Sequence, residues 1–190
     1  RDHWEREISK WAYPRNQDIT ILKTENFSME APKIRSSDWI ITHYQLFEHV
    51  EEDDLRILYR AGFDHVILDE VHNAKNPNAI RTKSVLNLAE EPDHITLLSG
   101  TPVPNTIIDA YVLMHLLDPK GYPISKDEGI NSAARHWFKE LYWQNPQAFK
   151  ELMHRKMVRR MARDYINKNL PEVAEKDIFI DIEGAWLKVY

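Results

Sequence analysis

A chain of 190 residues with 43% hydrophobic and 11% aromatic side chains can bury a core, so disorder is not expected, and there is room for one fair-sized domain or one domain with a small appendage. The absence of cysteine excludes disulfides and thiolate metal sites and mildly favours a reducing compartment. A net charge of −5 does not announce a nucleic-acid binder, although a local basic groove would be invisible in that sum.

The charged start RDHWEREISK is unlike a signal peptide, and no apolar run approaches the roughly 18 to 20 residues of a membrane span. A soluble intracellular protein with no membrane partner is expected. Arg1 is not an initiator residue, so the chain is expected to start inside a longer polypeptide.

Trp4, Ile8 and Trp11 at i, i+4 and i+7 predict a helix over residues 2–12 with one apolar stripe, ended by Pro14 and Asn16. Residues 19–22 read as a short strand, 25–37 as loop, and 38–42 as a second strand ending at Thr42. Residues 44–61 read as mostly helical with a break near 51–54, and Gly62 fits a C-terminal cap.

Val66, Ile67 and Leu68 have no alternating polar face, which predicts a strand buried on both sides of a parallel sheet. Asn76 and Pro77 fit the cap and first position of a helix running to about residue 89. Residues 94–98 predict a fourth strand, ending in Ser99-Gly100-Thr101-Pro102, and 106–117 a helix apolar on nearly every face, stopped by Asp118-Pro119. The alternation up to this point predicts an α/β fold with helices covering a parallel sheet.

Beyond residue 119 the pattern changes to a loop over 120–130 and two helices. The first, 132–142, carries Ala134, Trp137, Phe138 and Leu141 on one face; the second, 146–156, is capped by Asn145. The aromatic stripe of 137–143 is read as core of this appendage. A dense basic run, RKMVRRMAR at 155–163, precedes a half-buried strand pattern at Ile178, Ile180 and Ile182. The expected division is therefore 1–119, 120–163 and 164–190.

Asp69 and Glu70 stand where the third strand ends, and in open α/β sheets ligands bind at that carboxyl edge. A hydrated magnesium ion and an attacking water would be needed there if the ligand were a nucleoside triphosphate. The plainer reading is that the pair closes a strand and caps a turn. Apart from His72 in the same turn, the histidines show no metal-ligand spacing, and no Gly-x-Ser-x-Gly frame surrounds Ser99.

The order and wording of FDHVILDEVHNAKN at 63–76 and LLSGTPVPNTIIDAYVLMHLLDP at 97–119 resemble the first ATPase lobe of Swi/Snf-type DNA translocases, in helicase superfamily two. WEREISKW at 4–11, DWIITHYQL at 38–46 and MVRRMARDYINKNLPE at 157–172 are similar to flanking segments of that lobe.

The resemblance implies a partial RecA-like fold, ATP as substrate, Mg2+ as cofactor, and double-stranded DNA and a second RecA-like lobe as partners. It implies that Asp69 holds magnesium through water, that Glu70 polarises the attacking water, and that His72 relays nucleotide state. Ser99, Gly100 and Thr101 would couple that state to movement between lobes. Thr42 and the segment around Lys10, with Lys75 and Asn76, would lie near DNA phosphates. Arg159 and Arg160 match a basic pair at the lobe junction; without the resemblance they read as a solvated helix face.

A Gly-x-x-x-x-Gly-Lys-Ser/Thr loop is absent, since Gly62, Gly100, Gly121, Gly129 and Gly184 offer no such spacing. Without that cradle nucleotide affinity should be poor, and the isolated chain is expected not to hydrolyse ATP. Two alternatives stay open: a non-catalytic interaction module keeping the acidic pair as a relic, and a metal-dependent hydrolase built on Asp69, Glu70 and His72. The short segment before the basic run points to a compact microbial or viral member working in the cytoplasm; a eukaryotic source would place it in the nucleus.

Overall fold

In the computed structural model, residues 2–13, 16–101, 106–125 and 127–158 are described. The expectations placed on Pro102, Arg159, Arg160, most of segment 157–172 and the strand at 178–182 lie outside them. The chain divides into two compact units, residues 1–156 and 157–190, and of the second only Met157 and Val158 are described.

Helix α1 (Asp2–Trp11) forms where its period predicts, with Ile8 buried beneath it. Trp11 departs from the expected stripe: it is 71% exposed, and its indole donates to Glu7 Oε2 at 2.9 Å. Strands β1 (Ile19–Ile21) and β2 (Trp39–Ile41) then pair in parallel, Ile19 opposite Trp39. A parallel pair needs a crossover, and residues 24–36 supply it.

The crossover is not the loop expected from its composition. It holds a 3-10 turn over Thr24–Asn26, helix α2 (Phe27–Glu30) and a 3-10 helix over Ala31–Ser36. Phe27 and Ile34 are buried in the core, and their burial winds a polar-looking segment onto the sheet.

Helices α3 (Leu46–His49) and α4 (Glu52–Tyr59) are separated by extended backbone at Val50 and Glu51, where a break was expected. Gly62 follows with φ 76°, a conformation that costs glycine nothing. Strands β3 (His65–Leu68) and β4 (His94–Leu97) form a second parallel pair, Leu68 opposite Leu97.

Their crossover contains α5 (Ile80–Leu88), which starts later than Asn76-Pro77 predicts. Asn76 Oδ1 accepts from the Asn78 N–H at 3.1 Å, and the Ala79 N–H bonds the Asn76 carbonyl at 3.1 Å. The side chain thereby builds a turn instead of capping a helix.

Among the described residues the strands make two small parallel sheets, not one continuous sheet. Nor is β3 buried on both sides: Val66 and Leu68 point inward, while His65 is exposed and Ile67 is 37% exposed. The apolar run thus reflects β-branched preference more than two-sided burial.

Helix α6 (Ile107–Leu117) is buried on almost every face, as its composition predicts, and opens with a reciprocal cap between Thr106 and Asp109. On it packs α7 (Ser132–Gln144), capped by Asn131, and on α7 in turn packs α8 (Pro146–His154), capped by Asn145. Phe138 is their hub, with ring centroids 5.2 Å from Tyr111 and 5.3 Å from Phe149, both edge to face. The aromatic stripe is core only in part, because Trp137 is 47% exposed and Trp143 76% exposed. Among the described residues no helix is long and apolar enough to cross a membrane.

Candidate nucleotide site

The site is built by the way β3 and β4 end together. The Leu98 N–H bonds the Leu68 carbonyl at 2.9 Å, and the Val71 N–H bonds the Leu98 carbonyl at 3.0 Å. The pairing therefore continues past both strands and carries Ser99 alongside residues 70–72.

Glu70 takes a left-handed backbone conformation, φ 48° and ψ 49°. For a residue with a Cβ this costs roughly 1–2 kcal/mol and persists only where surrounding contacts hold it. Three do: the Glu70 N–H donates to Asp69 Oδ1 at 2.9 Å, and its carbonyl accepts from Asn73 N at 2.9 Å and Asn73 Nδ2 at 3.0 Å.

Asp69 and Glu70 are both exposed. His72 Nδ1 lies 3.2 Å from Glu70 Oε2 and 3.4 Å from Ser99 Oγ. The hydrogen bond of Nδ1 runs to Ser99 Oγ, and the Glu70 carboxylate, which can only accept, stands at ion-pair distance beside it. Ser99 Oγ in turn accepts from the Thr101 N–H at 3.1 Å, so one polar chain joins Glu70 to the turn after β4.

Supporting side chains arrive from distant stretches. The Trp4 indole donates to Asp69 Oδ2 at 3.0 Å, and the Tyr44 hydroxyl donates to the Asp69 carbonyl at 2.8 Å. Burial, then the negative charges of Asp69 and Glu70, pushes the Tyr44 hydroxyl well above its usual 10.0, against the opposing pull of Arg81. Arg81 is held by Glu48 at 2.7 Å and reaches the Asn73 carbonyl at 3.5 Å. Sequence reasoning missed Trp4, Tyr44, Asn73 and Arg81 as parts of the site. Trp4 stands 65 positions and Tyr44 25 positions from Asp69, and no local spacing signals either contact.

The remaining expected residues are spread out. Gly100 and Thr101 are exposed beside Ser99. Thr42 leaves β2 with its hydroxyl donating to the Leu22 carbonyl at 3.2 Å. Lys10 is exposed near the end of α1, its ammonium 4.8 Å from the centroid of the Trp11 ring. Lys75 lies 3.8 Å from Asp109 Oδ2, and Asn76 is engaged in its own turn. The structure brings Asp69, Glu70, His72 and Ser99 together but not the four residues assigned to DNA.

Among the described residues no group of three or more histidine or carboxylate side chains could hold a metal ion. A divalent ion caged by protein ligands alone does not fit that donor set among the described residues. A largely hydrated magnesium ion does, because it needs only one or two carboxylates, and each Asp69 oxygen keeps a lone pair beyond the bonds described.

The SNF2-related domain family matches this chain over residues 1–190. Protein CHROMATIN REMODELING 19 of Arabidopsis thaliana is 28% identical over 132 residues, which cover 62% of this chain and 17% of that protein. Helicase swr1 of Schizosaccharomyces pombe is 30% identical over 147 residues, covering 73% of this chain and 11% of the relative. Chromodomain-helicase-DNA-binding protein 8 of Danio rerio is 26% identical over 202 residues, covering 99% of this chain and 8% of the relative. The chain therefore spans less than a fifth of the length of these relatives. With the match extending from the first residue to the last, the chain belongs to the SNF2-related domain family.

Proposed function

We propose that this chain forms one wall of the nucleotide cleft of an ATP-dependent translocase that moves on double-stranded DNA. The observation that carries the reading is the placement of His72 between Glu70 and Ser99, 3.2 and 3.4 Å away, on the ends of two paired parallel strands. Closing a strand and capping a turn would require no such link between an acidic pair and a second strand end.

Asp69 holds hydrated magnesium, which when bound offsets the negative charge of the phosphates. The Glu70 carboxylate orients the attacking water and accepts its proton. His72 passes the state of that carboxylate to Ser99, Gly100 and Thr101, which couple it to movement of a second RecA-like lobe. The phosphate-gripping loop is supplied from outside these residues, so the isolated chain does not turn over ATP.

Lys10, Thr42 and Asn76 contact DNA phosphates, and Lys75 joins them by exchanging its Asp109 partner. Such contacts are insensitive to base sequence and weaken with salt. The remodelling and helicase names of the relatives support work on nuclear DNA over a cytoplasmic role.

The test is ATP turnover by the natural polypeptide carrying these residues, with and without duplex DNA, across a salt series. Turnover that rises with DNA and falls back with salt is expected. Nucleotide-independent partner binding with no turnover would favour the non-catalytic module instead.

A further inference from the structure

We infer that Trp4 is a positioning residue for Asp69, setting the carboxylate in the orientation from which it holds a hydrated divalent cation; this rests on the nucleotide-site reading above. The two oxygens of Asp69 are fixed differently. Oδ1 accepts from the next N–H in the chain, at 2.9 Å, a contact that permits the carboxylate to swing about it. Oδ2 accepts from the Trp4 indole at 3.0 Å, across 65 positions of sequence, and that second point stops the swing.

The indole suits this task. It donates and cannot accept, so it favours the charged carboxylate and competes for no proton. It takes one lone pair of Oδ2 and leaves another for a metal-bound water. Its own position is set by α1, where Ile8 is buried one turn further on. Partners of this kind behind a metal-holding carboxylate are worth about ten- to a hundredfold in metal affinity.

The experiment uses this 190-residue chain, with six tryptophan indole signals resolved in a 15N spectrum and Trp4 identified by its loss in Trp4→Phe. In Asp69→Ala the Trp4 indole proton should exchange with water about tenfold faster, approaching the exposed Trp143. Unchanged exchange would overturn the inference whatever happens to Trp4→Phe. In the second arm, Mn2+ alone is added and broadening of the Glu70 amide signal is followed.

Trp4→Phe keeps an aromatic ring and should raise the Mn2+ needed for half-broadening about tenfold, with the dispersion of the other amide signals preserved. A merely structural role for Trp4 would lower the melting temperature without moving that concentration. Equal Mn2+ requirements, or no broadening in either protein, would overturn the inference. Turnover by the natural polypeptide is measured separately, so a failure of the ATPase reading is told apart from a failure at Trp4.

Discussion

The ends of β3 and β4 and the packing of α6, α7 and α8 are two opposite ways of using side chains. Around Phe138 the rings of Tyr111, Tyr122, Phe149 and Trp137 meet at centroid distances between 5.2 and 6.3 Å, and Phe138 itself is fully buried. At the strand ends, Asp69 and Glu70 are exposed, Glu70 sits in a strained backbone conformation, and a few hydrogen bonds, one each from Trp4 and Tyr44 and two from Asn73, hold the turn. The first region contributes stability through area and dispersion; the second spends some of it to present charge. Substitutions in the two regions should therefore separate stability from chemistry.

The largest stability effect is expected at the hub. Phe138→Ala leaves a cavity among four rings and should cost about 3–5 kcal/mol in denaturant unfolding of this chain. A loss below about 1 kcal/mol would mean that the helices do not depend on that packing. Gly62→Ala comes next at about 1 kcal/mol, because φ 76° strains any residue with a Cβ although space is available there. Asn145→Ala, which removes the side chain accepting from the Ala148 N–H at 3.1 Å, should cost a similar ~1 kcal/mol.

At the other extreme, Thr82→Val removes a buried hydroxyl that has no hydrogen-bond partner among the described residues and keeps its shape. It should be neutral or raise stability by up to about 1 kcal/mol.

The site leaves its own mark on pH dependence. Tyr44 is raised in the folded chain above the value it has unfolded, 10.0. Its contribution is complete below about pH 10 and is lost as pH rises beyond it, because the unfolded chain ionises first. Equilibrium unfolding from pH 9 to 11 should show that loss, and Tyr44→Phe should flatten it. An equally steep alkaline decline in Tyr44→Phe would assign the effect to other tyrosines. At the acid end His115, lowered chiefly by burial despite donating to the Tyr122 carbonyl at 2.7 Å, acts in the opposite sense: stability falls as pH drops below about 6.5.

The same contrast explains what could be read from the residues alone. Helix α6 was legible because Ile108, Val112, Leu113 and Leu116 leave no polar face, and α8 because Asn145-Pro146 is a strong start signal. The acidic pair was legible as a strand end, since periodicity and composition are local. The crossover 24–36 was not, because Phe27 and Ile34 are too sparse to set a period. Neither were Trp4 and Tyr44, whose contacts with Asp69 exist only once α1 and the loop after β2 are folded against β3. Asn76 misled for a physical reason: an Asx side chain serves a turn as readily as a helix cap.

The central claim is that Glu70 works as the base of an ATP hydrolase and that its turn is held for that purpose. It is tested most directly by Glu70→Gln in the natural polypeptide, with nucleotide binding and single-turnover hydrolysis measured side by side. The account predicts binding within about threefold of the unsubstituted protein and hydrolysis reduced by about a hundredfold or more, because the amide keeps the shape of the side chain and cannot accept the proton. Hydrolysis retained at the unsubstituted rate would contradict it.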